Sequence, residues 1–356
     1  MTDETFRLEA YNSNIESGRV KWASPSNIAL IKYWGKREQQ IPENPSISFT
    51  LSECKTITEV SFSKKEGNNF SFDVIFEGVK NEAFKPKIQT FFERIEPYMP
   101  FLRDYHFTIE TSNTFPHSSG IASSASGMSA LALCLMEIAK DLGIVEQDFN
   151  QKASFLARLG SGSACRSVEG PLVVWGENDT VSNSSNLFGV KYEAEVHSNF
   201  KNYRDTILLV DKGEKQVSST VGHKLMFGHP FAQERFQQAH KNLADLDKVL
   251  QSGDLSEFNK IVESEALTLH AMMMTSMPYF ILMKPNTLEI INKIWQFREE
   301  TGSKVCFTLD AGANVHVLYP DAEADKVLDF IKTQLVAYCQ NGHYICDTVG
   351  FGAEKL

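Results

Sequence analysis

The apolar run Val305-Cys306-Phe307-Thr308-Leu309 reads as a buried strand, and it ends directly on Asp310-Ala311-Gly312-Ala313-Asn314. A carboxylate at the point where a buried strand meets a glycine turn is costly to desolvate. It needs cationic or hydrogen-bonding partners, so the fold must bring such groups to residue 310. Two upstream segments carry them: Ile31-Lys32-Tyr33-Trp34-Gly35-Lys36-Arg37 and Gly160-Ser161-Gly162-Ser163-Ala164-Cys165-Arg166-Ser167. A third stretch, Phe115 to Gly127, is small, polar and rich in serine.

The 356 residues favour two domains. A hydrophobic content of 42% supports a packed core and argues against disorder. The net charge of −10 argues against a nucleic-acid or membrane-surface binder, which needs a basic face. It leaves room for a local basic pocket that takes an anionic small molecule. Cys54, Cys134, Cys165, Cys306, Cys339 and Cys346 show no CxxC pair and no zinc-like spacing with histidine, so no protein metal site is expected. They read mostly as small buried hydrophobes. Thr2-Asp3-Glu4 does not resemble a targeting segment and no long apolar run follows, so a cytoplasmic location is expected.

Alternation predicts strands over 47–51, 56–62, 70–76 and 105–111, and helical spacing predicts helices over 85–95, 126–142 and 151–159. Leu172-Val173-Val174-Trp175 reads as a buried strand, and 176–198 as a polar surface excursion. Beyond it come a strand over 206–210 and helices over 234–250, 255–273 and 287–301. Strands over 304–309 and 315–319, a helix near 323–339 and a last strand near 344–349 complete the order. It implies an α+β fold of two lobes, divided as 1–200 and 201–356.

Each cationic or anion-binding segment has two readings. Phe115-Pro116-His117-Ser118-Ser119-Gly120-Ile121-Ala122-Ser123-Ser124-Ala125-Ser126-Gly127 precedes a long helix, whose free N–H groups and dipole suit phosphate. It is not a Walker-A loop, and serine-rich turns also simply cap helices. Lys32 follows Leu30 and Ile31; it either meets an anion or marks an edge strand with solvated lysines, and the local pattern favours the edge strand. Arg166 is either a fork for carboxylate or phosphate, or an exposed side chain on a flexible connector. One carboxylate, two cationic clusters and an anion cradle together suggest phosphoryl transfer on an acidic small molecule.

Taken in order, Asn27-Ile28-Ala29, Ile31 to Arg37, Ser46 to Leu51, Phe115-Pro116, Gly120 to Gly127, Ala157-Arg158, Gly160 to Ser167, and Thr308 to Gly312 with Asn314 resemble the mevalonate diphosphate decarboxylase family of the GHMP kinase superfamily. The resemblance implies a larger N-terminal α/β lobe and a smaller ferredoxin-like C-terminal lobe around a cleft. It implies Mg2+- and ATP-dependent conversion of 5-diphosphomevalonate to isopentenyl diphosphate, ADP, phosphate and carbon dioxide, a step of isoprenoid and sterol biosynthesis. By similarity Asp310, Lys32 and Arg166 are catalytic, with Arg166 on the substrate carboxylate. Tyr33, Lys36, Ser161, Ser163 and Ser219 would hold the diphosphate, and Ser118, Gly120, Ser123, Ser124 and Asn27 the nucleotide. A homodimer is also implied.

The chain departs from the family pattern in His117-Ser118-Ser119, usually Thr-Ala-Ala, and at Ala313, usually Pro. Leu159 often matches a basic residue, and His223 stands where Met is usual, which weakens the match at Ser219. Three alternatives remain: a kinase that stops at the 3-phosphate, a decarboxylase of 5-phosphomevalonate, and a non-catalytic binding protein on the same fold.

Overall fold

The computed structural model describes all residues except 1, 9–10, 12–13, 117–120, 145, 212–218 and the side chains of 219 and 220. β1 (Ser17–Ile31) and β2 (Ser46–Lys64) form a long antiparallel pair. β3 (Ser71–Phe76), β4 (Val79–Lys80) and β5 (Tyr105–Asn113) extend the sheet from β2, and β6 (Leu172–Trp175) and β7 (Val190–Lys191) pair along its other end. α1 (Lys85–Ile95), α2 (Ser123–Asp141) and α3 (Phe149–Gly160) cover one face. α2 is buried almost all round, so it serves as the lobe's central helix.

The second lobe runs β8 (Arg204–Leu208), α4 (Ser219–Lys224), α5 (Ala232–Ser252), α6 (Leu255–Met274), α7 (Pro285–Thr301), β9 (Cys306–Thr308), β10 (Val315–Tyr319), α8 (Ala324–Phe330) and β11 (Tyr344–Thr348). Its four strands are all antiparallel in the order β11-β8-β10-β9. That is the ferredoxin-like arrangement, enlarged by extra helices between its first two strands. β12 (Glu354–Lys355) then returns to pair with β1.

The lobes share an apolar cluster. Ile28, Leu30, Phe49 and Leu172 of the first sheet pack with Ile207, Leu243, Phe258 and Cys306 of the second lobe. This explains the burial along β2. Residues 46–51 are buried on both faces beneath the second lobe, whereas from Cys54 to Phe62 burial alternates in the manner of a one-sided sheet.

Four sequence expectations change. The strands over 47–51 and 56–62 are one strand, because the N–H groups of Ser52, Glu53 and Cys54 all donate to the Asp347 carboxylate at 2.8, 2.9 and 2.8 Å. The helix over 126–142 opens earlier, at Ser123. The segment 176–198 is less superficial than its polarity suggests: it contains β7, and Phe188 and the Tyr192 ring are buried. The helix near 323–339 breaks after Phe330 into a π turn and a 3-10 turn. There Thr333 Oγ1 donates back to Asp329 O at 2.8 Å, competing with the regular ladder.

Candidate active site

Lys32 follows the last residue of β1 and its side chain is only 2% exposed, so the solvated edge-strand reading is overturned. The second lobe grips its peptide from both sides. The Lys32 N–H donates to Glu265 Oε2 at 2.8 Å, and its carbonyl accepts from Arg235 Nη2 at 3.1 Å and Asn44 Nδ2 at 2.9 Å. Glu265 and Arg235 form a fully buried bidentate pair, with Nη1–Oε1 at 2.9 Å and Nη2–Oε2 at 2.5 Å. The Lys32 ammonium meets Asp310 Oδ1 at 3.0 Å. Burial holds the Lys32 pKa below its ordinary value, and Asp310 opposes that shift.

Asp310 stands just past β9. Its backbone carbonyl accepts from His270 Nε2 of α6 at 3.1 Å. Burial drives His270 down to about 4, so this histidine acts as a neutral strut.

Arg166 is fully buried, within the 3-10 stretch Gly162–Ser167 between α3 and β6, so the exposed-connector reading also fails. Its Nε donates to Ser48 Oγ at 3.0 Å, Nη1 to Ser46 Oγ, and Nη2 to Asn27 Oδ1 at 3.5 Å. None of these acceptors is a carboxylate. The guanidinium is therefore oriented without being neutralised, and the negative charge nearby comes from Asp310. Burial lowers its pKa, although guanidinium remains charged at neutral pH.

Lys32, Arg166 and Asp310 border one cavity of about 190 Å3, together with Tyr33, Lys36, Ser161, Ser163 and His223. Tyr33 Oη is buried with no hydrogen-bond partner among the described residues. Gly162 permits this approach: a Cβ there would lie 2.8 Å from Tyr33 Oη. Lys36 Nζ donates to Gln40 Oε1 at 2.6 Å, and burial brings its pKa down to about 8. Ser219 opens α4, and its side chain lies outside the described residues.

A larger cavity of about 1030 Å3 adjoins this one and shares Lys36, Gln40, Lys87, Ser124 and Gly160 with it. One wall is apolar (Val74, Phe76, Phe91, Ile109, Met128, Leu131), and its rim carries Lys36, Arg37, Lys87, Arg94 and Lys224. Ser123 and Ser124 line it at the start of α2, which has no side-chain cap and follows Ala122 at φ 45°. Lys87 Nζ donates to Ser124 Oγ at 2.6 Å, and Ser124 Oγ to Ser161 Oγ at 3.1 Å, linking the two cavities. An apolar slot, a cationic rim and an uncapped helix start suit a nucleotide with a phosphate chain.

His117, Ser118 and Gly120 lie outside the described residues. Asn27, expected at the nucleotide, lines neither cavity. It is buried and donates to Ser167 Oγ at 2.8 Å and Ser163 O at 3.3 Å, so it braces the Arg166 segment.

Several residues around the cavities were not singled out by sequence reasoning. Lys87 and Arg94 stand seven apart on α1, on one helix face, which was a readable signal. Ser46 and Ser48 alternate on one face of β2. Arg235, Glu265 and His270 gave only the weak sign of polar residues inside amphipathic helices. Among the described residues, no group of three His, Cys, Asp or Glu side chains is arranged to hold a metal ion.

Residues 24–186 match the diphosphomevalonate decarboxylase-like N-terminal domain, and residues 206–349 match the mevalonate 5-diphosphate decarboxylase C-terminal domain. The diphosphomevalonate decarboxylase of Candida albicans is 30% identical over 331 residues, covering 86% of each chain. The human diphosphomevalonate decarboxylase is 28% identical over 333 residues, covering 88% of this chain and 78% of that one. In structure, the chain aligns with MDDEF in complex with MVAPP, AMPPCP and magnesium at a TM-score of 0.82, with 28% identity over 96% of this chain and 99% of that one. Mevalonate diphosphate decarboxylase from Staphylococcus aureus gives 0.81, with 28% identity and coverage of 96% and 98%. The chain belongs to the diphosphomevalonate decarboxylase family.

Proposed function

We propose that this chain uses Mg2+-ATP to convert 5-diphosphomevalonate into isopentenyl diphosphate, with release of ADP, phosphate and carbon dioxide. The observation that carries the reading is the pairing of a buried Lys32 with Asp310 on a cavity that also presents the un-neutralised Arg166. That cavity adjoins a second one with the features of a nucleotide pocket. A relative solved with MVAPP, AMPPCP and magnesium supports the same pair of ligands here.

A tertiary hydroxide leaves poorly and a phosphate leaves well. Phosphorylating the 3-hydroxyl therefore lets carbon–oxygen cleavage draw out the neighbouring carboxylate as carbon dioxide. No organic electron sink is required, and the protein acts by positioning and electrostatics. Asp310 orients the 3-hydroxyl, with Lys32 fixing the carboxylate and the charge around it. Arg166 grips the substrate carboxylate in two places. Tyr33, Lys36, Ser161 and Ser163 hold the phosphate tail, and Ser219 joins them. Ser123, Ser124, Lys87 and Arg94 receive the nucleotide phosphates.

The donor set fits a metal–nucleotide better than a bare ion, because it consists of cations and hydroxyls. Ser123 and Ser124 are the residues suited to face the ion. Bound magnesium supplies charge neutralisation on the phosphate chain.

Two finer points belong to the same proposal. The lobes divide at residues 200/201, with β12 reaching back to the first sheet. The protein works as a homodimer in the cytosol; no described helix is long and apolar enough to cross a membrane.

Incubation of the purified protein with Mg2+-ATP and either 5-diphosphomevalonate or 5-phosphomevalonate tests the proposal. Carbon dioxide release that favours the diphosphate supports it. Release that favours the monophosphate reassigns the substrate, and a stable 3-phosphate without carbon dioxide makes the protein a kinase.

A further inference from the structure

The reaction described above makes no use of His223, although its ring borders the substrate cavity. The residue is 7% exposed. Its ring lies against Tyr33 and Trp34, with centroids 4.3 and 4.7 Å away. The preceding Gly222 fixes that placement: a Cβ on it would come within 2.5 Å of the Trp34 ring, so no larger residue lets α4 sit so close.

The backbone N–H of Gly35 donates to His223 Nδ1 at 3.0 Å. An Nδ1 that accepts carries no proton, so the ring proton resides on Nε2. Protonating Nδ1 as well would break the Gly35 bond inside a buried pocket. The ring is thereby held neutral, with one committed acceptor and one donor. Among the described residues, the ring's hydrogen bond is the one that Nδ1 accepts from Gly35, which leaves Nε2–H available to a ligand in the cavity. The nearby positive charge of Lys36 and Arg166 further disfavours an imidazolium.

We propose that His223 is a specificity-determining residue for the phosphate tail, donating its Nε2–H to a tail oxygen as a neutral partner beside Lys36. This rests on the reading that the smaller cavity receives the phosphorylated mevalonate. A neutral donor adds direction to the grip without adding repulsion to a pocket already crowded with cations. It also couples tail binding to the Gly35 turn, since Gly35 holds the other ring nitrogen.

Two substitutions separate the functions of the ring nitrogens. His223→Asn retains an acceptor near the Nδ1 position and removes the Nε2 donor; His223→Gln retains a donor near Nε2. Steady-state kinetics with Mg2+-ATP should show the KM for 5-diphosphomevalonate raised about tenfold in His223→Asn and largely restored in His223→Gln, with the KM for ATP unchanged in both. In 15N-labelled wild-type protein, the His223 Nε2–H resonance should move downfield on adding 5-diphosphomevalonate alone. An unchanged KM in His223→Asn, or an unmoved resonance at saturating substrate, overturns the proposal, and the second reading does not depend on a variant folding. Wild-type protein that releases no carbon dioxide would instead remove the underlying functional reading, so the two failures are distinguishable.

Discussion

Lys32 Nζ lies 3.0 Å from Asp310 Oδ1, and the two partners are covered unequally: the lysine side chain is 2% exposed and the aspartate side chain 27%. The ammonium depends on this carboxylate because water cannot replace it. The carboxylate, by contrast, keeps an open side through which it can meet a ligand.

Replacing Asp310 with Ala should therefore damage both chemistry and stability. Product formation is abolished, while ATP affinity stays within a few-fold, because the nucleotide cavity is not lined by Asp310. An uncompensated buried charge costs about 3–5 kcal/mol, part of which Lys32 escapes by losing its proton. Burial already lowers the Lys32 pKa, and without Asp310 it falls further. The unfolded state then binds more protons than the folded one below the ordinary lysine pKa, so the variant's deficit grows as pH falls. Denaturant melts near pH 6 and pH 9 check this, with the larger loss expected near pH 6.

Arg166→Lys should raise the KM for the mevalonate substrate by roughly tenfold or more and lower kcat. The guanidinium is held by Ser46, Ser48 and Asn27 on three separate nitrogens, and an ammonium cannot satisfy that set while gripping a carboxylate in two places. Near-normal kinetics in this variant would count against the two-point grip.

Glu265→Gln tests the support beneath Lys32. The substitution leaves the buried Arg235 without its counter-charge, at a cost of about 3–5 kcal/mol. It also weakens the bond that aims the Lys32 peptide. The expected result is a lower melting temperature together with a kcat that falls more than the KM rises. Unchanged stability would mean that the Arg235–Glu265 pair does not anchor the lobe contact.

Lys36 should set an alkaline limit on substrate capture. Its pKa lies at about 8, and only the protonated form attracts a phosphate tail. kcat/KM for 5-diphosphomevalonate should be level below that pH and fall about tenfold per unit above it. Lys36→Arg, which stays charged, should abolish the limb. A limb that persists in the arginine variant assigns it to another group.

The parts of the fold that could be read from sequence are those governed by local pattern. α1 has the predicted limits Lys85–Ile95, because an apolar face at helical spacing ends just before Pro97. The strand ahead of Asp310 was legible because buried apolar runs and glycine turns are short-range signals. The burial of Lys32 was not, since its cover comes from Arg235 and Glu265, more than two hundred residues away. Lys87 and Arg94 share a face of α1, but the apolar slot they rim is built by Val74, Phe76, Ile109, Met128 and Leu131 from other elements, which no local pattern around them announces. Asn27 sits inside a recognisable motif, yet its hydrogen bonds run to the Arg166 segment and not to the nucleotide cavity.

The most direct test of the central claim is to follow carbon dioxide, ADP and phosphate together in a reaction of wild-type protein with Mg2+-ATP and 5-diphosphomevalonate. Release of the three in equal amounts is the predicted result. Consumption of ATP with accumulation of a phosphorylated mevalonate and no carbon dioxide would contradict it.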